Sequence, residues 1–381
     1  MTHAGEVTIE VPYGQDRQTG EWFSPVRIAW GLRPHQRLSP ELEQRLCLTA
    51  AATFSYERAA EVVACWGGPP VDDSRIHRHV QKAGERAREE EKRREREAQI
   101  PALREETVRQ AGKEHPRGSF SLIIMMDGWM ARERGTDWGL KPPEKKAGRV
   151  AWREMKTAII MRVEDRAETA SGRPMVIGKA IVAHQGEWDG LAKKLYAEAL
   201  RRGLMQAKEV FVVADGGGWI WNLKEERFAH ATGVLDFYHA SEHVWDMGRA
   251  LYGQDGGKTD KWVIRLLRQL RHGAEKKALK RMEATKRNIP ASLEEEARKT
   301  IGRTVNYFHT HSDRLHYADV EERGCPVGSG AMESTCAQLQ SRLKRTGQFW
   351  TEEGKANLLS LELARRNGDW SRVWENKVAL N

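Results

Sequence analysis

Three acidic side chains in this sequence could do phosphoryl chemistry. Asp127 closes the apolar run 121–126 and is followed by Gly128 and Trp129, and Asp215 closes the run 209–214 and is followed by three glycines. A carboxylate at the C-terminal end of a buried strand lies at the rim of an α/β sheet, where such sheets bind ligands. The adjoining glycines let a large ligand approach the backbone, although a strand-end Asp-Gly is also an ordinary turn. The third acid is Glu333, in Gly328-Ser329-Gly330-Ala331-Met332-Glu333-Ser334, at the start of a helix expected to continue through Leu339 and Leu343. The helix dipole stabilises an acid in a first turn whether or not it has a function. Together the three could hold two hard divalent cations about 4 Å apart, which clamp the attacking and leaving oxygens of a phosphoryl transfer. Arg342, Lys344 and Arg345, further along the same helix, would then lie beside the phosphate chain.

The elements that must position these acids follow from the patterning. Residues 1–40 are turn-rich and irregular, with short strand-like pieces such as 7–11. Residues 41–84 read as helical. Leu42, Leu46 and Thr49 share one face, Ala59, Val62 and Val63 another, and Ser55 is placed to cap the second helix. Gly67, Gly68, Pro69 and Pro70 stop that helix. Asp72 or Asp73 can then cap a short helix over 74–83 that turns Ile76 and Val80 inward and Arg75, His77, Arg78, His79 and Lys82 outward. Helix, glycine-containing break and short basic helix make a helix-turn-helix, whose second helix offers cations to a major groove. An ordinary helical hairpin has the same pattern.

Residues 85–97 hold six acidic and six basic residues around Ala87. With no net charge they suit a solvated helical connector, taken as 85–117, better than a nucleic-acid arm. From 118 the texture changes. Strands are expected over 121–126, 155–163, 175–183, 209–214 and 234–237, with a helix over 191–202. This alternation indicates an α/β sheet whose strands are buried on both faces. From His239 the chain reads as helical almost to its end, apart from a turn at 324–330.

Charge and cysteine usage narrow the classes. The net charge is +9, and residues 246–290 alone carry twelve Lys/Arg against five Asp/Glu, a stretch suited to a polyanion. No apolar run approaches the ~20 residues of a membrane span. No secretory signal is visible at the N-terminus. Four cysteines with no CxxC pair suit a reducing cytoplasm.

Several blocks resemble those of ISKra-type bacterial insertion-sequence transposases. Cys325-Pro-Val-Gly-Ser-Gly-Ala-Met-Glu333-Ser, Gln340-Ser-Arg-Leu-Lys344-Arg-Thr-Gly-Gln-Phe-Trp350 and Asn367-Gly-Asp-Trp370 are similar to that family's C-terminal signature. Val213-Ala-Asp215-Gly-Gly-Gly-Trp219-Ile and Leu235-Asp236-Phe-Tyr-His239-Ala-Ser-Glu-His243 are similar to its middle blocks, and Asp127-Gly-Trp129 to its first acidic block. Phe54-Ser-Tyr-Glu-Arg-Ala-Ala and Ser74-Arg-Ile-His-Arg78 resemble its helix-turn-helix. The similarity spans roughly 40–375.

The resemblance implies an α/β RNase H-like core over 118–381 with a helical insertion at about 245–320, preceded by the all-α helix-turn-helix domain at 41–84. It implies a DDE triad of Asp127, Asp215 and Glu333 holding two Mg2+ ions, with Mn2+ able to substitute. The reaction is cleavage of transposon ends and joining of the 3′-OH to target DNA. The partners are double-stranded DNA and further copies of the chain, at least a homodimer in the synaptic complex, with no membrane and a cytoplasmic, nucleoid-associated setting. The DNA-contacting residues expected are Arg75, His77, Arg78, Lys82, His239, Arg342, Lys344 and Arg345, with Trp219 and Trp350 placed for base stacking. Asp236 and His239 resemble the (C/D)xxH motif of some eukaryotic DDE transposases. No cysteine stands at 16–25, where the family carries a CxxC knuckle, so zinc-assisted DNA binding is not expected.

Two other readings compete. His239-Ala-Ser-Glu242-His243 spells HxxEH, which on a helix could ligate Zn2+ with Glu242 as base in a metallopeptidase, given a third protein ligand. The chain could also be a catalytically silent transposase relic kept for DNA binding.

Overall fold

The computed structural model describes every residue except 3, 4, 6, 9, 31–37, 140–147, 173, 255 and 376–381. The chain divides into two compact units. The first comprises Met1–Arg96, Met130–Arg153 and Gln338–Asn381, and the second comprises Glu97–Trp129 and Glu154–Ala337.

The first unit opens with the short antiparallel pair β1 (Gly14–Gln15) and β2 (Trp22–Phe23), followed by α1 (Pro25–Ala29). The strand piece expected at 7–11 is not formed at residues 7, 8, 10 and 11, and residue 9 lies outside the described residues. Next come α2 (Pro40–Ala52) and α3 (Tyr56–Cys65). Ser39 caps α2, its Oγ accepting from the Leu42 N–H at 3.2 Å, and Ser55 caps α3 in the same way at 3.1 Å from the Arg58 N–H.

The helix expected over 74–83 is far longer: α4 runs Asp73–Gln99, and Asp72 accepts from the Arg75 N–H at its start. The solvated connector expected from 85 is corrected by burial. Ile76, Val80, Ala83, Ala87 and Ala98 form a buried stripe at helical spacing, and Glu90, 7% exposed, lies on it, paired with Arg93 and Arg94. Within the first unit α4 approaches α14 (Glu352–Arg366) at Gly84. At Gly84 an added Cβ would sit 2.3 Å from the Asn357 carbonyl oxygen, so only glycine permits this approach. Arg88 and Gln81 hydrogen-bond the Asn357 side chain, and Arg94 pairs with Asp369 ahead of α15 (Arg372–Glu375).

The second unit begins with the last residues of α4, from Glu97, and α5 (Pro101–Glu114). Its centre is a five-stranded sheet of β3 (Ser121–Arg134), β4 (Val150–Arg162), β7 (Ala180–Gln185), β8 (Glu209–Ala214) and β9 (Thr232–Leu235). The small antiparallel pair β5 (Arg166–Glu168) and β6 (Pro174–Val176) lies outside it. The order across the sheet is β7-β4-β3-β8-β9, so the sheet's third, second, first, fourth and fifth strands stand side by side. β3, β8 and β9 run parallel, and β4 and β7 are antiparallel. The central strands are buried on both faces: Leu122, Ile123, Ile124, Met125 and Met126 are at most 1% exposed.

Helix α6 (Trp188–Arg201) links β7 to β8, and α7 (Gly218–Arg227) links β8 to β9. After β9 the second unit is helical: α8 (Phe237–Tyr252), α9 (Lys258–Arg271), α10 (Glu275–Arg287), α11 (Glu295–Thr310), α12 (Tyr317–Glu322) and the start of α13 (Gly330–Leu343). α8 packs on α9 and α11, and α10 on both of those. Among the described residues no helix is long and apolar enough to cross a membrane.

Candidate active site

The sheet sets the first two acids beside each other. The parallel pairing of β3 with β8 ends at Met126 opposite Ala214, so Asp127 and Asp215 follow as neighbours on strands about 4.8 Å apart. Asp215 is the first residue past β8. Its Oδ1 accepts from the Gly217 N–H at 2.8 Å and its carbonyl from the Trp221 indole N–H at 3.0 Å, which turns the chain into α7. The strand expected to end at Asp127 instead continues to Arg134, so Asp127 is a mid-strand residue at the point where its neighbour strand stops. At Gly128 an added Cβ would stand 3.0 Å from Glu154 Oε1 on β4. Burial raises the Asp127 carboxyl above its ordinary range, and the charge of Asp215 adds to the shift.

The third acid comes from α13. Glu333 is exposed in the first turn, one turn before Cys336 on the same helix face. The Cys336 thiol stands close enough to the Asp127 carboxylate for each to affect the other's ionisation. Burial pushes this thiol far up, and the charges of Asp127 and then Glu333 push it further. Cys336 therefore feels the charges of both Asp127 and Glu333. Among the described residues no group of three or more His, Cys, Asp or Glu side chains is gathered closely enough to hold a metal ion. Asp127 and Asp215 are adjacent hard oxygen donors, and that donor chemistry fits a divalent cation; Glu333 is exposed on α13.

One buried carboxylate fixes the start of α13. Asp236, 1% exposed, caps α8 through Oδ1, which accepts from the N–H groups of Tyr238 (2.7 Å) and His239 (3.0 Å). Its Oδ2 accepts from the Ser329 N–H at 2.7 Å and from the Ser329 hydroxyl. The Ser329 carbonyl in turn accepts from the N–H groups of Met332 and Glu333, opening α13. The Phe237 N–H donates to the Val327 carbonyl at 2.8 Å, and an added Cβ at Gly328 would meet the Tyr238 ring at 2.5 Å. The sequence marks Asp236 as an acid near a strand end and, with His239, as similar to a (C/D)xxH motif; nothing local connects it with Ser329.

A wall of rings stands beside Asp215. An added Cβ at Gly216 would be 2.3 Å from the Tyr307 ring and 3.0 Å from His311 Nε2. His243 stacks on Tyr307 at 4.0 Å between centroids, and His239 meets His243 edge-on at 5.1 Å. Burial, then neighbouring His239, lowers the His243 pKa, and burial, then Arg314, lowers that of His311. His239 also lies 3.6 Å from Glu242, and His243 faces an aromatic ring, so HxxEH forms no three-ligand zinc site among the described residues. Tyr307, on α11, and His311, the residue that caps its C-terminal end, carried no signal in the sequence.

The remaining expected contacts fall as follows. Trp219 is half-buried, with Lys156 Nζ 5.5 Å from its ring centroid, and Lys156 pairs with Glu154 at 2.5 Å. In the first unit, His77, Arg78 and Lys82 are exposed on α4 and Arg75 is half-buried. Arg342 is a correction. At 5% exposure its guanidinium lies 5.4 Å from the Trp350 ring and 5.6 Å from that of Tyr56, so it is a packing residue rather than a phosphate contact. Trp350 is also tied down: its indole donates to the Leu343 carbonyl, and its own carbonyl accepts from the Arg134 N–H. Lys344 is half-buried and Arg345 exposed.

No protein-family model matches the chain, and no curated protein matches it.

Proposed function

We propose that the chain is a DDE-type DNA transposase with an RNase H-like catalytic core, using Asp127, Asp215 and Glu333. The observation that carries this reading is the placing of Asp127 on β3 beside Asp215, where the parallel pairing of β3 with β8 ends, with Cys336 on the helix of Glu333 next to Asp127. The third-second-first-fourth-fifth strand order, followed by helices up to the one bearing Glu333, is compatible with that core. The resemblance of the blocks around all three acids to insertion-sequence transposases supports it further.

In this reading Asp127, Asp215 and Glu333 would hold two Mg2+ ions, which would supply positive charge to a scissile phosphodiester and lower the pKa of an attacking hydroxyl. The chain's own residues do the positioning: β3 and β8 fix the spacing of the two aspartates, and Asp236 fixes the start of α13. Hydrolysis breaks a P–O bond at each element end and leaves a 3′-OH, which then attacks a target phosphodiester and displaces its 3′-oxygen. Copies of the chain hold the two ends together as a homodimer or larger assembly, in a nucleoid setting. The test is incubation of purified protein and Mg2+ with duplex DNA carrying the sequences that flank the coding region, with nicks mapped to the nucleotide. Nicks at fixed positions on both flanks are expected; uncut DNA under conditions where it is bound overturns the reading.

A further inference from the structure

In the first unit, aromatic rings and cations alternate, with Trp152 and Phe54 exposed and Phe349 and Trp138 half-buried. Where β3 and β4 extend beyond the sheet, Arg132 lies 5.9 Å from the Trp152 ring centroid and 5.3 Å from that of Phe349. Lys344 Nζ is 5.3 Å from the Trp152 centroid, and Arg345 is 4.6 Å from that of Phe54. Phe349 packs on Trp138 at 4.8 Å, and Trp138 carries Arg134 and Arg149 at 5.4 and 5.9 Å. The group is held in place: Arg132 donates to the carbonyls of Lys344 and Arg345, and the Glu133 position of β3 bridges to Trp350. The large rings are not core. Trp152 is 50% and Phe54 51% exposed. Among the described residues no carboxylate is ion-paired with any of these five cations; the nearby acid, Glu133, is instead paired with Lys355 and Arg153.

We infer that this surface binds unpaired nucleotides of a DNA strand, with bases on the Trp152 and Phe54 rings and phosphates on Lys344, Arg345 and Arg132. Five cations with no carboxylate partner among the described residues match a polyanion. Aromatic rings interleaved with them match a polyanion that also offers flat faces, and only an unstacked strand has base faces free. Paired duplex DNA would use the cations and leave the half-exposed rings without a partner. The inference deepens the proposed function by naming the form of DNA that a unit outside the carboxylate cluster holds, and it rests on that reading only for DNA as substrate.

The test is fluorescence anisotropy of the full chain in EDTA, with a labelled single-stranded 20-mer and the matching duplex. Trp152→Ala should weaken single-strand binding about tenfold, the range for loss of one stacked base, and leave duplex binding within twofold. Trp152→Phe should restore most of it. Lys344→Gln with Arg345→Gln should lower the slope of log K against log salt for the single strand by about 1.4. Matching thermal melts of variants and parent show that the fold is kept. Equal loss on both forms of DNA, or no loss on either, overturns the inference. Asp127→Ala bears on the other reading: it should keep single-strand binding while cleavage is lost, so failure of catalysis and failure of this surface are read separately.

Discussion

Replacing Asp236 perturbs two helix starts at once, and its cost can be worked from the four hydrogen bonds it accepts. Asp236→Ala removes the α8 cap, worth about 1 kcal/mol. It also leaves the half-buried Ser329 N–H without its acceptor, at about 1–2 kcal/mol. The expected loss is therefore roughly 2–3 kcal/mol, read by urea denaturation followed by far-UV circular dichroism. Two companions separate the two ends of the carboxylate. Asp236→Asn can keep its carbonyl oxygen toward Tyr238 and His239 but must turn an NH2 group toward the Ser329 N–H, so it should retain the cap and lose the clasp. Ser329→Ala removes only the hydroxyl bond, at about 1 kcal/mol. Because Asp236→Ala and Ser329→Ala delete one shared bond, the double variant should fall short of additivity by about 1 kcal/mol. A loss below about 1 kcal/mol for Asp236→Ala, or strict additivity in the double variant, refutes the reasoning that one carboxylate ties α8 to α13.

Two further outcomes follow from buried charge. Burial, with Asp215 adding, raises the Asp127 carboxyl above its unfolded value, so its stabilising contribution is full below the ordinary carboxyl range and is lost as pH rises through the raised folded value. Asp127→Asn should therefore melt higher than the parent at pH 7–8 in EDTA, with the gap closing below about pH 4; an unchanged gap across that range contradicts it. Lys355, 1% exposed, pairs with Glu133 at 2.6 Å, and Arg153 lies 3.6 Å from the same carboxylate. With Arg153 retained, Lys355→Met should cost about 3 kcal/mol, the low end for breaking a buried pair, and adding Glu133→Leu should recover most of it in the same urea assay. A single-variant cost under about 1 kcal/mol would show that the pair carries little.

The sequence patterning foretold the sheet better than its margins. The run 209–214 is β8 to the residue, and the continuous burial of 121–126 follows from its lack of polar alternation. It did not foretell that β3 passes through Asp127-Gly128, because that dipeptide reads locally as a turn. Residues 129–134 do alternate, but the buried side includes Glu133, and the partner that makes this tolerable is Lys355, 222 residues away in sequence. The same holds for α4, whose stripe passes through Glu90 and Arg94, so a buried face looks like a solvated one until Arg94 meets Asp369. At the candidate site, types and order made Asp127, Asp215 and Glu333 visible. Cys336, Ser329 and Tyr307 were not, since each matters through a side chain that only folding brings near.

The central claim is that three carboxylates act as one DNA-cutting centre. Its most direct measurement is cleavage of the flanking duplex by Asp127→Ala, Asp215→Ala and Glu333→Gln beside the parent, with binding of the same duplex measured in parallel. Each variant should bind as the parent does and cut at least about 100-fold more slowly, because a lost metal ligand removes several kcal/mol of transition-state stabilisation. Cutting at the parental rate by any one of the three contradicts the account.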